Sequence, residues 1–92
     1  MYKIKFTKNA LLDILNIEIF ISNNNPDISK QVKLKLLEII SNLAIFPNIW
    51  KQFKNRKIRE LVDPNYNYRI LYEVDEKQNV IKILNIFKYK NF

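Results

Sequence analysis

The spacing of apolar residues changes twice along this chain, and that alternation limits its fold more than any other feature. Tyr2, Ile4 and Phe6 alternate with Lys3 and Lys5, the period of two expected of a half-buried strand. Thr7 then offers a side-chain oxygen as N-cap. Ala10, Leu11, Ile14, Leu15, Ile17 and Ile21 follow at helical spacing, which predicts a first helix over about residues 8 to 22. Asn23-Asn24-Asn25-Pro26 ends it, and Asn25 with Pro26 forms a cap followed by a first helical position that suits proline. Ile28, Val32, Leu36, Ile39, Ile40 and Leu43 are the expected buried stripe of a second helix, which Pro47 should stop. After an irregular stretch at 47–56 the period returns to two, predicting strands from Lys57 to Val62, Tyr68 to Val74 and Val80 to Phe87. A turn is expected at Asp75 to Asn79.

The resulting order is β-α-α-β-β-β, an α+β fold. Two helices joined by a few residues make an antiparallel hairpin whose apolar stripes need another surface to cover them. The expected solution is an antiparallel three-stranded meander, with the N-terminal strand added at an edge and the helix hairpin packed on one face. Ninety-two residues, 48% of them apolar, suffice for one core and not for two, so residues 1–92 are expected to form a single domain.

Three residue types are missing, and each absence removes chemistry. Without cysteine there are no disulfides and no thiolate ligands; without histidine the usual neutral-pH base and commonest metal ligand are gone. Nine scattered acids show no ligand spacing, so neither metal nor cofactor is expected. Without glycine, phosphate-cradling loops of the P-loop, dinucleotide and GXXG kinds are excluded. Turns then fall to asparagine, which tolerates left-handed backbone, and Asn23, Asn24, Asn25, Asn48, Asn55, Asn65, Asn67 and Asn79 sit where turns are expected.

The net charge of +7 favours acidic partners, although an AT-rich genome would also enrich Asn, Ile and Lys together. A membrane partner is not expected, because the apolar run from Ile14 to Ile21 is interrupted by Asn16 and Glu18 and too short to span a bilayer. Met1 leads straight into the first strand pattern, so no signal peptide is expected and the cytoplasm is the expected location. Lys51, Lys54, Arg56, Lys57 and Arg59 put five bases and no acid between residues 51 and 59. Alternation in the two strands lets Arg59 and Arg69 share the sheet face away from the helices.

Several stretches together resemble the ParE/RelE toxin superfamily from end to end: YKIKFTKNALLDILNI, the Asn-Pro helix start in NNNPDISKQV, then ISNLAIFP, KIRELV, YRILYEV and VIKILNIFKY. The resemblance implies a compact toxin of a type II toxin–antitoxin pair, held inactive by a cognate antitoxin. RelE-like members cut mRNA in the ribosomal A site, whereas ParE-like members inhibit DNA gyrase. It also implies site residues: Arg59 and, two residues earlier, Lys57 on the second strand, Arg69 on the third, and Lys88, Tyr89 and Lys90 after the last. Many ribonuclease members end in a His or a second Arg; this chain has neither there, and its long helix hairpin is more similar to ParE-like members.

Cleavage through a 2′-hydroxyl needs a base, charge stabilisation at the phosphorane and an acid. Arginine supplies only the second. A lysine crowded by cations can act as base, so a metal-independent ribonuclease would use Lys57 or Lys88 beside Arg59 and Arg69, with Tyr89 as acid. A toxin that only binds would meet its target through Arg59, Arg69, Lys88 and Lys90. The plainer alternative pairs Arg59 and Arg69 with Glu60, Glu73 or Asp63 on a solvated face. Tyr68 and Tyr72 are expected in the core and Trp50 as a lid over the hairpin. Three functions follow: a ParE-like gyrase inhibitor, which the chain's ending favours; a RelE-like mRNA endoribonuclease; and an inactive homologue that only binds antitoxin. The antitoxin segment is expected to be acidic and amphipathic.

Overall fold

The computed structural model describes residues 1–50, 52 and 57–88. Strand β1 (Lys3–Phe6) leads into helix α1 (Lys8–Ser22), helix α2 (Pro26–Ser41), a 3-10 turn (Asn42–Ala44), and strands β2 (Ile58–Val62), β3 (Tyr68–Asp75) and β4 (Val80–Lys88). Thr7 caps α1 by accepting from the Ala10 N–H at 3.2 Å, and its hydroxyl donates to the Ile83 carbonyl at 2.8 Å. One threonine therefore both starts the helix and ties it to β4. Asn25 caps α2 through the Ile28 N–H at 3.3 Å, with Pro26 next in line and Asp27 in the first turn.

The second helix stops before Pro47. Ser41 donates to the Glu38 carbonyl at 2.7 Å, a back-bond that competes with the helical ladder, and Leu43 falls in the 3-10 turn. Of the asparagines expected at turns, Asn67 (φ 63°) and Asn79 (φ 55°) have left-handed backbone, while Asn23 is helical and Asn25 extended. Asn55 lies outside the described residues.

The sheet order is β1-β4-β3-β2, antiparallel except for the parallel edge pair β1 and β4. Both helices lie over one face, where Val32, Leu36, Ile40 and Leu43 meet Leu61, Tyr68, Ile70, Tyr72, Ile81, Ile83 and Ile86. Burial of the two tyrosines agrees with the sequence pattern. The stripe of α1 does not: only Ala10 is fully buried and Ile14, Ile17 and Ile21 half-buried, whereas Leu11 and Leu15 are 56% and 50% exposed. At about 100° per residue α1 carries two apolar stripes, and a single sheet face covers one of them. Ile28 of α2 is also exposed.

Leu71 pairs with Asn85 and Tyr72 with Ile83, so Leu84 has no cross-strand partner and β4 bulges there. Since β1 ends at the Phe6–Ile83 pair, the edge of β4 beyond it is open. Helix α1 closes this gap, with Asp13 accepting from the Ile86 N–H at 2.8 Å.

Candidate functional site

Strand register separates the residues that the sequence brings together. Residues paired across a ladder share a sheet face. Arg59 pairs with Tyr72 and Leu61 with Ile70, so Arg59 lies on the helix-covered face; Arg69 pairs with Val62 on the opposite face. The shared face expected for the two arginines is therefore incorrect. Both sides of β2 carry apolar residues, Ile58 and Val62 on one and Leu61 on the other, and the core takes Leu61 together with Asp63. Asp63 is buried because its carboxylate accepts from the Asn65 and Tyr66 N–H groups at 3.1 and 3.0 Å.

Arg59 faces the chain that follows the 3-10 turn. Its Nη1 donates to the Trp50 carbonyl at 2.6 Å and, at the limit of a hydrogen bond, to the Asn48 carbonyl at 3.5 Å. Beside it the Tyr72 hydroxyl donates to the Pro47 carbonyl at 2.9 Å. Burial pushes the Tyr72 phenol up to about 12, against the opposing effects of Arg59 and of the Trp50 backbone. Trp50 is half-buried and packs against the core.

Lys57 precedes β2 and opens with Arg59 onto a cleft of about 500 Å³. Lys77 also lines it, but so do Glu73, Asp75 and Glu76. Among the described residues three cations there face three carboxylates, which leaves no net charge to attract a polyanion. Lys88 lies elsewhere. Its ammonium is 5.8 Å from the centre of the Tyr68 ring, a cation–π distance, and Tyr68 pairs with it four residues along β3 from Tyr72, about 13 Å at the rise of a strand. Burial and the Asp63 charge both raise the Tyr68 phenol above its ordinary value. Tyr89 and Lys90 lie outside the described residues, as do Lys51, Lys54 and Arg56. Among the described residues no three His, Cys, Asp or Glu come together as metal ligands.

On the far face Arg69 meets Glu60 at 3.2 Å, with 20% and 27% of the two side chains exposed. This is one of the pairings weighed from sequence. Half-buried partners matter more than free surface groups, so Arg69→Ala is expected to cost about 1–2 kcal/mol rather than the ~0.5 kcal/mol of an open site. A double-mutant cycle with Glu60→Ala in urea denaturation measures it; a coupling near zero would mean that Glu60 is not its partner in solution.

The exposed stripe of α1 borders a feature that periodicity alone did not reveal. Phe6, Leu11, Ile14, Leu15 and Leu37 line an apolar groove of about 290 Å³ between β1 and the two helices, bridged at one side by Glu18 and Lys33 at 3.1 Å. The signal lay in the surplus of large apolar residues on α1: Leu11, Leu12, Leu15, Ile19 and Phe20 are all exposed.

Residues 4–90 match the family described as the ParE toxin of the type II toxin–antitoxin system parDE. No curated protein sequence matches the chain. Among solved structures, the chromosomal ParDE toxin–antitoxin system of P. aeruginosa is similar at 17% identity, with a TM-score of 0.82 and 98% of each chain covered. The E. coli RelBE toxin–antitoxin complex is similar at 19% identity and a TM-score of 0.65, covering 99% of this chain and 100% of that one. RelBE2 from Mycobacterium tuberculosis, also a toxin–antitoxin complex, shows 20% identity, a TM-score of 0.64 and coverage of 96% and 98%. The fold is thus that of the ParE/RelE toxin superfamily. With all but a few residues matched, the chain belongs to the ParE toxin family of type II toxin–antitoxin systems.

Proposed function

We propose that the protein arrests growth by binding a protein target, DNA gyrase as in ParE-like toxins, and that it does so without cutting RNA. One observation carries this reading: among the described residues, those a ribonuclease would need are dispersed. Arg59 is engaged by backbone carbonyls, Arg69 lies on the opposite face against Glu60, and Lys88 sits over Tyr68. Phosphoryl transfer needs base, acid and charge stabilisation converging on one phosphorus. Of the described candidates only Lys57 and Arg59 share a cleft, and there three carboxylates offset the three cations.

The groove of the helix hairpin is the surface we assign to the antitoxin. It is apolar and open, with the Lys33 ammonium at its rim. An amphipathic helix with acidic flanks would cover Leu11, Leu15 and Leu37 and be steered by the +7 charge.

The experiment compares two targets with one preparation. Purified protein is expected to inhibit supercoiling by gyrase and to leave ribosome-bound mRNA whole. Codon-dependent mRNA cuts with unaffected supercoiling would replace this reading by the ribonuclease, and normal growth at full soluble expression would leave an inactive homologue.

A further inference from the structure

We propose that Lys3, Lys5 and Lys82 form the electrostatic half of the antitoxin contact, taking the carboxylates that flank the segment seated in the groove at Phe6; this rests on the reading that the groove holds the antitoxin. Lys5 stands directly opposite Lys82 where β1 pairs with β4, and Lys3 lies two positions along the same face. Neighbouring strands are about 4.8 Å apart. Like charges placed opposite one another at that spacing destabilise a sheet.

Among the described residues nothing relieves this repulsion: none of the three lysines forms an ion pair, although Glu73 stands opposite Lys82 on β3. A lysine on an edge strand, as Lys3 and Lys5 are, discourages pairing with a second sheet. Lys82 lies inside the sheet on β4 and is half-buried, where that purpose does not apply. A fold that keeps such a pair gives up stability in the free protein, and local rules of this kind are broken where a ligand makes up the loss.

Position and charge together select the occupant. β1 is the outermost strand, its Phe6 lines the groove, and Lys3 and Lys5 alternate to the other face. One polypeptide segment crossing this edge meets both, with apolar residues toward Phe6, Leu11 and Leu15 and carboxylates toward the lysines. Nucleic acid has no apolar side chains for the groove and draws on more phosphate contacts than three lysines supply. A second copy would bring its own charge of +7.

Lys5→Glu tests this against the cognate antitoxin, with Lys35→Glu, of equal net charge and outside the groove lining, as control and Leu15→Asn as the groove variant. Free Lys5→Glu toxin is expected to melt at or above the wild-type midpoint, since the new carboxylate faces Lys82. Its dissociation constant for the antitoxin should nevertheless rise about tenfold, mostly through slower association that depends less steeply on salt, while Lys35→Glu stays within about threefold of the wild type. Titration calorimetry and stopped-flow mixing measure both, and Lys5→Gln, expected to weaken binding about threefold, serves if the charge reversal does not fold. Folded Lys5 variants that bind the antitoxin as the control does would overturn the proposal. So would a Lys5→Glu toxin that loses affinity for a short DNA duplex and keeps it for the antitoxin, since the patch would then belong to nucleic acid. If Leu15→Asn binds normally and Lys5→Glu does not, the groove assignment falls and the lysines stand as the contact; the reverse result keeps the groove and removes the lysines. A wild type that binds no antitoxin would overturn both.

Discussion

Arg59→Ala is expected to lower the stability of the protein by about 1.5–3 kcal/mol, the range for a hydrogen bond from a charged donor. A domain of this size loses roughly 4–8 °C of melting temperature per kcal/mol, so the midpoint should fall by about 6–24 °C. The reasoning is geometric. Arg59 sits on the helix side of the sheet and its 2.6 Å bond to the Trp50 carbonyl joins β2 to the loop that precedes it. Alanine leaves that part-buried acceptor without its donor, and the only tryptophan in the chain loses its anchor. Trp50 emission should therefore shift to the red as the ring, half-buried against the core, becomes wetter. Arg59→Lys is expected to recover part of the stability, because an ammonium can reach one carbonyl but lacks the planar fork. A surface cation kept for a target would behave differently: its loss would change the midpoint by about 0.5 kcal/mol or less and leave Trp50 emission alone. Thermal melts and fluorescence of the two variants distinguish the roles, and an unshifted midpoint for Arg59→Ala would return the residue to the target-binding set.

The position of Arg59 on the helix side, against the sequence expectation of an open face, marks where sequence pattern ends. Elements with a local chemical cause were legible. Thr7 and Asn25 start their helices as capping residues should, Pro26 follows its cap, and the strands appear as alternation. The edge position of β1 was legible as well, since a three-stranded meander leaves it nowhere else to pair. Face assignment in β2 was not. Its two faces carry apolar residues in nearly equal number, and choosing the wrong one turns every side chain over. The decisive residues are Leu61 and Asp63: the first completes the core, and the second is buried because it caps the turn at Asn65 and Tyr66. Neither contact is encoded by spacing. The candidate site inherits that error, because Arg59 and Arg69 are ten positions apart in sequence and on opposite faces in space. The groove was missed for a related reason, since a helix apolar on more than one side has two candidate core faces and its own sequence does not rank them.

Above pH 10 the stability of the protein is expected to fall through Tyr72, and replacement by phenylalanine should abolish that fall. A phenol ordinarily stands at 10.0, and that of Tyr72 stands at about 12 in the folded chain, chiefly because burial disfavours the phenolate. Between these values the unfolded chain has given up the proton while the folded one still holds it. The folded state then binds more protons than the unfolded, and stability decreases as pH rises. The contribution is complete below about pH 10 and gone above about 12. Discounted for solvent screening, the loss is on the order of 1–3 kcal/mol. Below pH 10 the wild type should exceed Tyr72→Phe by the worth of the hydroxyl bond to Pro47, about 0.5–1.5 kcal/mol. Where the alkaline loss outgrows that advantage, between pH 10 and 12, the two stability curves should cross, with the phenylalanine variant the more stable beyond. All other ionisable groups are common to the two proteins and cancel in the difference. Urea denaturation of the pair from pH 8 to pH 12 measures the crossing. Curves that stay parallel throughout would mean that the Tyr72 hydroxyl reaches water in the folded protein, and that the bond to Pro47 does not hold the loop as described.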